Sequence, residues 1–209
     1  LTQAVDRVRR SGADLVLLLM PADEQLRALA ALEEAGVQVE VTGFPYPEAQ
    51  TRAFYAASRD AAPRLGAGHR ASAWEATLDA YGARELNARF RARFEGLPME
   101  SPAWAVYQAV KLGYEAAFFG GGTAAENVLG YLQAGTTVFD VWKGIGTTFR
   151  PWDGQLRQSL YLVKVSETET DPFPLVTLVG ELPAIYMPGT DPVERLDQIG
   201  DLVQGEHVV

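Results

Sequence analysis

The first 44 residues alternate between helix-like and strand-like segments, and this order restricts the fold more than any other feature of the sequence. Apolar residues recur at helical spacing in residues 1–11 and 22–35, and a glycine follows each of these segments. An apolar stretch of strand length comes next in each case, ADLVLLLM at 13–20 and VQVEVTGF at 37–44. Helices and strands that alternate in this way build parallel sheets, so the sequence predicts an α/β fold.

The loops that follow the two predicted strands are the first place to look for a ligand site. In parallel sheets, ligands bind beyond the carboxyl ends of the strands. The first loop carries Met20, Pro21 and Asp23. The second carries Phe44 and Tyr46, one on each side of a proline. Because an aromatic ring just past a strand end is well placed to meet a ligand, we expect these five residues to be ligand contacts.

The rest of the sequence predicts a helical block followed by strands. The block covers residues 74–134, and within it the segment 101–119 begins with Ser-Pro, a good N-cap and first-turn pair. This segment is apolar on nearly all sides, which predicts that its helix is buried. Strands are predicted at 148–151 and 158–165, joined by a turn that contains Asp-Gly.

Composition and charge argue against several functional classes. The formal net charge of −9 argues against a nucleic-acid partner, because affinity for phosphate backbones comes largely from clustered Lys and Arg. The sequence has no cysteine, which excludes disulfides and thiolate metal sites. No apolar run approaches the roughly 20 residues that a membrane helix needs, so we expect no membrane insertion.

The sequence lacks the motifs of common enzymatic sites. It has two histidines, and it contains no HExxH, GxSxG, GxxxxGK or Ca²⁺-loop pattern. The acidic residues in SETETDPFP at 166–174 are interpreted as part of a solvated loop. We therefore expect no catalytic residue, no metal site and no cofactor, and we interpret the protein as a binding protein and not an enzyme.

One segment keeps an enzymatic alternative open. GAGHRA at 66–71 fits the dinucleotide-binding pattern GxGxxA, with Asp79 or Glu85 downstream. That motif needs a buried strand before the glycines and a helix after them. The preceding segment, SRDAAPRL at 58–65, is polar and interrupted by a proline, unlike a central strand. An NAD(P)-dependent enzyme is therefore the less favoured alternative.

The order of the segments resembles that of type I periplasmic solute-binding proteins of the leucine/isoleucine/valine group. The matching segments are LTQAVDRVRRSGADLVLL (1–18), LEEAG (32–36), LNARFRARFEGLP (86–98), AWAVYQAVKLGYEAA (103–117) and FDVWKGIGTTFRPWDGQLRQSLYLVKV (139–165). The resemblance implies a type I periplasmic-binding-protein fold, doubly wound with parallel-sheet lobes. A complete two-lobed protein needs two lobes of about 100–150 residues each plus the hinges between them, and 209 residues are too few for that. The chain is therefore expected to hold most of lobe 2 and the C-terminal helices of lobe 1.

The resemblance also implies a division of the chain and a function. Residues 1–72 are assigned to lobe 2, 73–137 to the helices of lobe 1, and 138–209 to a return to lobe 2 with a hairpin and a tail. Members of the family capture a small molecule between the lobes and deliver it to an ABC permease. The implied partners are thus a small-molecule ligand, the permease and the missing N-terminal half of the same protein, in the periplasm. Trp74, near the expected hinge, is a sixth candidate ligand contact, and the start at Leu1 suggests a processed or truncated product.

Two local sequences refine the expected ligand. TFRPWDGQLRQ at 148–158 looks like a subgroup associated with PQQ-dependent alcohol dehydrogenase systems. Amino-acid binders of the family commonly place an aromatic residue after the first strand and an acid after the glycine that ends the second. This chain has Met20-Pro21 and Phe44-Pro45 there, so we expect a ligand other than a standard amino acid. A ligand-sensing regulatory domain of the same fold is the alternative to transport.

Overall fold

The computed structural model describes residues 1–144, 147–182, 189 and 191–197. The helices are α1 Thr2–Ser11, α2 Ala22–Glu34, α3 Arg52–Ala61, α4 Pro63–Gly66, α5 Ala83–Arg93, α6 Ser101–Phe119, α7 Ala125–Gln133 and α8 Pro192–Asp197, with a 3-10 turn at Glu48–Gln50. The strands are β1 Leu15–Leu18, β2 Glu40–Gly43, β3 His69–Ser72, β4 Leu160–Val165 and β5 Val176–Leu182. Among the described residues, no helix is both long enough and apolar enough to cross a membrane.

The chain divides into two compact units. Unit 1 consists of Leu1–Leu78, Asn87–Pro102 and Tyr161–Gly180. Unit 2 consists of Asp79–Leu86, Ala103–Leu160 and the described residues from Glu181 onward. The lobe assignment made from the sequence stays a prediction.

Strands β1 and β2 of unit 1 form a parallel pair, with Leu15 opposite Glu40 and Leu18 opposite Gly43. Side chains alternate between the faces of a strand, so one face of this pair carries the inward residues. The core on that face joins α1, α2 and α4 to the sheet, and its members include Val5, Leu18, Leu29, Leu32, Val41 and Leu65. The predicted order of helix, strand, helix and parallel strand is confirmed.

A second sheet has the strand order β3-β4-β5. Strands β3 and β4 are antiparallel, with His69 opposite Lys164 and Ser72 opposite Tyr161. Val163 and Val165 of β4 are fully buried, which anchors this strand in the core. The α/β fold therefore combines a parallel pair, β1 and β2, with a sheet that contains the antiparallel pair β3 and β4.

The glycine-rich segment 66–71 has the wrong element order for a dinucleotide site. It follows helix α4 and leads into strand β3, whereas the motif requires a strand before the glycines and a helix after them. Gly66 has a packing role instead, because a Cβ there would lie 1.9 Å from the carbonyl oxygen of Ser58. The structure gives no basis for the NAD(P)-dependent alternative.

The apolar helix predicted at 101–119 is present as α6, but the prediction that it is buried on all sides is wrong. Two stripes of residues four apart run along the helix. The covered stripe is buried and consists of Trp104, Gln108, Leu112 and Ala116. The open stripe consists of Val106, Val110, Tyr114 and Phe118, whose exposed fractions are 66–69%. An apolar helix face in the sequence indicates that the face is buried in the complete protein. It does not indicate which segment packs against that face.

Candidate ligand-binding site

The parallel pair brings the two predicted ligand loops together in unit 1. Because Leu18 and Gly43 are opposite each other at the carboxyl ends of β1 and β2, both loops leave the same edge of the sheet. The backbone N–H of Phe44 donates to the carbonyl of Leu18 at 2.9 Å, which extends the pairing by one residue. Met20 and Phe44 therefore begin adjacent loops, as the sequence predicts.

Gln25 of α2 ties these loops to each other. Its side chain is 1% exposed, and its Nε2 donates to the carbonyl of Met20 at 2.9 Å and to that of Phe44 at 3.0 Å. A Cβ at Gly43 would lie 1.7 Å from Oε1 of Gln25, so only glycine leaves room for the amide. Gln25 thus holds both loops through hydrogen bonds to their backbone carbonyls, and its amide leaves no room for a side chain at Gly43.

Gln50, in the 3-10 turn, makes further hydrogen bonds to the second loop. Its Nε2 donates to the carbonyl of Pro45 at 2.5 Å and lies 3.4 Å from that of Tyr46. Its Oε1 accepts a hydrogen bond of 2.6 Å from the backbone N–H of Ala73. The Phe44–Tyr46 loop is therefore anchored at both ends by buried amides.

The rings of Phe44 and Tyr46 stand on this anchored loop. Their exposed fractions are 44% and 37%, and their ring centroids lie 4.8 Å apart with an interplanar angle of 54°. Aromatic pairs favour tilted or offset geometries at such distances. Met20 is partly buried and packs against the core of unit 1, and Pro21 is exposed. Phe44 and Tyr46 therefore present apolar surface at this edge of the sheet.

Asp23 and Trp74 differ from the other candidates. The carboxylate of Asp23 is exposed and accepts a hydrogen bond of 3.0 Å from Arg27 one turn along α2. Trp74 is completely buried, and its Nε1 donates to Oδ1 of Asn87 at 2.9 Å. Its backbone N–H donates to Oγ of Ser101 at 2.9 Å. Trp74 is a core residue of unit 1 in this structure, which does not support the expected ligand contact.

A buried ion pair in unit 1 supports the fold and is closed to solvent. Nη2 of Arg52 lies 2.5 Å from Oε1 of Glu75, and Nε of Arg52 donates to the carbonyl of Pro172 at 3.1 Å. Burial raises the pKa of the Glu75 carboxyl, and the nearby Arg52 opposes that rise. Burial also raises the pKa of Tyr55 to about 12. These groups hold the start of α3 against its neighbours, so we assign them a structural role.

Unit 2 contains a buried lysine. Lys143 is 1% exposed, its Nζ donates to Oε1 of Gln158 at 2.8 Å, and it lies 4.6 Å from the ring centroid of Trp104. Burial lowers the pKa of Lys143 to about 7, while the charge of Glu181 acts in the opposite direction. Within the described ranges, no cluster of three or more His, Cys, Asp or Glu side chains is arranged to hold a metal ion.

Comparison with known proteins adds the family. Residues 1–170 match the family model described as periplasmic binding protein. The chain belongs to this family. The resemblance predicted from the order of its segments is therefore confirmed, whereas its PQQ-associated subgroup stays a prediction.

Solved structures of this family share the fold. An ABC transporter substrate-binding protein from Sphaerobacter thermophilus is 20% identical with a TM-score of 0.67, over 87% of this chain and 48% of that one. The leucine-binding protein LivK from Thermotoga maritima is 10% identical with a TM-score of 0.65, over 86% and 47%. A solute-binding protein from R. palustris, in complex with benzoate, is 16% identical with a TM-score of 0.59, over 91% and 49%. A comparison with curated proteins gives no match.

The chain spans about half the length of these structures, as the covered shares of 47–49% show. Their similarity supports the type I periplasmic-binding fold in partial form. It does not identify individual ligand contacts, so Met20, Pro21, Asp23, Phe44 and Tyr46 stay predictions.

Sequence reasoning missed the two buried glutamines. Gln25 lies on the buried side of α2 with Leu29 and Leu32, a position where a polar residue signals an internal hydrogen bond. The sequence could have drawn attention to Gln25 in this way, but its partners depend on the register of β1 and β2. Gln50 lies in a short 3-10 turn and gives no such periodic signal.

Proposed function

We propose that the protein carrying this chain is the extracytoplasmic solute-binding component of an ABC importer. The observation that carries the proposal is the pair of anchored loops at the carboxyl ends of β1 and β2, in a chain of the periplasmic binding protein family. Parallel sheets bind ligands at this edge. The ligand is a small molecule captured in the periplasm, and the partner after capture is a membrane-embedded ABC permease.

The ligand is proposed to be other than a standard amino acid. The similar structures include proteins described as binding leucine and as complexed with benzoate, and one described as a fatty acid transporter component. Members of this fold therefore differ widely in ligand chemistry. Phe44-Pro45 stands here where amino-acid binders of the family commonly place an acid.

The N-terminal half of the same protein is proposed as a further partner. The chain covers about half of each similar structure, and two of its apolar surfaces are exposed. One is the open stripe of α6 in unit 2. The other is the outward face of β1 in unit 1, where Leu15 and Leu17 alternate with inward residues. Large exposed apolar patches mark surfaces that another segment covers.

Isothermal titration of the full-length protein tests the function. The panel contains small alcohols, aldehydes, organic acids and amino acids, together with a set of divalent metal ions. We expect saturable binding of at least one small organic molecule. Absence of binding across the whole panel would contradict the proposal.

A further inference from the structure

The backbone polar groups of the Phe44–Tyr46 loop are already paired. Phe44 donates to Leu18, and the N–H of Tyr46 donates to the carbonyl of Phe44 at 2.8 Å. The carbonyls of Met20 and Phe44 accept from Gln25. Backbone groups that are paired inside the protein are poor partners for a ligand, because a new bond would replace an existing one.

Further backbone groups of the second loop are paired in the same way. The carbonyl of Pro45 accepts from Gln50, and the carbonyl of Tyr46 accepts from the N–H of Ala49 at 2.9 Å. The prolines at 21 and 45 have no N–H to donate. The Phe44–Tyr46 loop therefore has few backbone N–H or carbonyl groups free to bond to a ligand.

The side chains left at this edge are apolar. They are the two exposed rings of Phe44 and Tyr46, with the Tyr46 hydroxyl as a polar tip, whereas Met20 packs against the core of unit 1. The nearby carboxylate of Asp23 is engaged by Arg27. A cationic ligand group would have to compete with that arginine for Asp23.

We propose that the part of the ligand that meets the Phe44–Tyr46 loop is an uncharged aromatic ring. An aromatic ring gains contact with both exposed rings and needs no hydrogen bond from a backbone that has none to spare. The inference rests on the proposed solute-binding function and specifies its ligand class. The charged or polar end of such a ligand is then held by residues outside the Phe44–Tyr46 loop.

The test compares ligands that share one ring and differ in charge. Benzoate, benzyl alcohol and benzylamine are titrated into the full-length protein, together with leucine, lysine and ribose. We expect benzoate or benzyl alcohol to bind in preference to leucine, lysine and ribose. Phe44→Ala and Tyr46→Ala are each expected to weaken that binding by roughly tenfold, since each removes a large part of the apolar contact.

Two control variants separate the ring contact from other effects. Tyr46→Phe keeps the ring and is expected to weaken binding less than Tyr46→Ala. Phe94→Ala removes a ring that packs on Phe90 in α5 and has similar exposure to Phe44, and it is expected to have no effect.

The outcomes distinguish this inference from the proposed function. Binding of only leucine, lysine or ribose would overturn the aromatic class and leave the solute-binding function standing. Aromatic binding that is unaffected by both alanine variants would overturn the assignment to this loop. A protein that binds nothing in this panel or in the wider one above would overturn the function and the ligand class together.

Discussion

Helix α2 is amphipathic and buries its apolar side, whereas helix α6 is apolar on nearly all sides and leaves one apolar stripe exposed among the described residues. The apolar side of α2 packs into the core of unit 1, where Leu29 is 2% exposed. In unit 2, α6 buries one stripe and leaves the stripe of Val106, Val110, Tyr114 and Phe118 open. Among the described residues, α2 therefore lies against a packed core, whereas the open stripe of α6 stays exposed. The N-terminal half is the proposed cover of that stripe.

The largest expected effect is the difference in stability loss between replacing a buried leucine and replacing an exposed one. Leu29→Ala in α2 should lower the free energy of unfolding by about 2–5 kcal/mol, because it leaves a cavity in the core. Leu129→Ala in α7, where the leucine is 52% exposed, should change it by less than about 0.5 kcal/mol in the 209-residue chain. Urea denaturation of both variants measures the difference.

The same pair of variants in the full-length protein tests whether the N-terminal half packs against the exposed apolar surface of unit 2. Leu129 of α7 is also exposed, so the N-terminal half is expected to cover α7 together with the open stripe of α6. Leu129→Ala then becomes destabilising in the full-length protein by about 1 kcal/mol or more. Leu29→Ala should cost the same in both contexts. Equal costs at Leu129 in the short chain and in the full-length protein would contradict the proposed cover.

A smaller loss of stability is expected at Gly43, where β2 ends and the second predicted ligand loop begins. Gly43→Ala should destabilise the protein by about 1–3 kcal/mol, since the added Cβ overlaps the amide of Gln25. Gly113→Ala in α6 is the matched control, because a Cβ there meets nothing within 4 Å and alanine favours helix. Thermal and urea unfolding of both variants are compared with the parent.

A double variant identifies the cause of the loss at Gly43. Gln25→Ala removes the overlapping amide, so its combination with Gly43→Ala should cost less than the sum of the two single changes. Additive costs would show that the amide is not what excludes a side chain at Gly43.

A pH dependence of the free energy of unfolding is expected from Lys143 of unit 2. The folded pKa of Lys143 is lowered to about 7 from 10.5, so the unfolded chain binds more protons between these values. Stability should therefore rise with pH from about 7 to 10, by at most about 1.4 kcal/mol per pH unit from this group. Below pH 7 both states hold the proton, and this contribution becomes constant.

Lys143→Met should remove this rise in urea denaturation measured from pH 6 to 10. Lys164→Met is the matched control, because Lys164 is exposed on β4, and it should keep the slope of the parent. A slope unchanged by Lys143→Met would show that another group governs the pH dependence.

The sequence predicts the fold better than it predicts contacts. Strands β1 and β2 follow from short apolar runs after helices that end at glycine, which are local signals. The exposure of α6 does not follow, because apolar periodicity reports the need for burial and not the location of the cover. Trp74 shows the same limit, since a tryptophan near a predicted hinge and one in a core look alike in sequence.

The positions of the two predicted ligand loops follow from local signals in the sequence, whereas the contacts that hold these loops do not. Loop positions follow from strand ends, so Met20 and Phe44 were found as neighbours. The bonds from Gln25 to both loops depend on the register of two strands that lie far apart in sequence. Register is set by packing of the whole sheet, which a single segment does not encode.

Hydrogen–deuterium exchange of the full-length protein, with and without a ligand that saturates it, tests the central claim most directly. The account predicts slower exchange in peptides that cover residues 20–23 and 43–46, with little change in the core of α2. The outward stripe of α6 should be protected with and without ligand, because the N-terminal half covers it. Saturating ligand that slows exchange only outside residues 20–23 and 43–46 would contradict the assignment of the site.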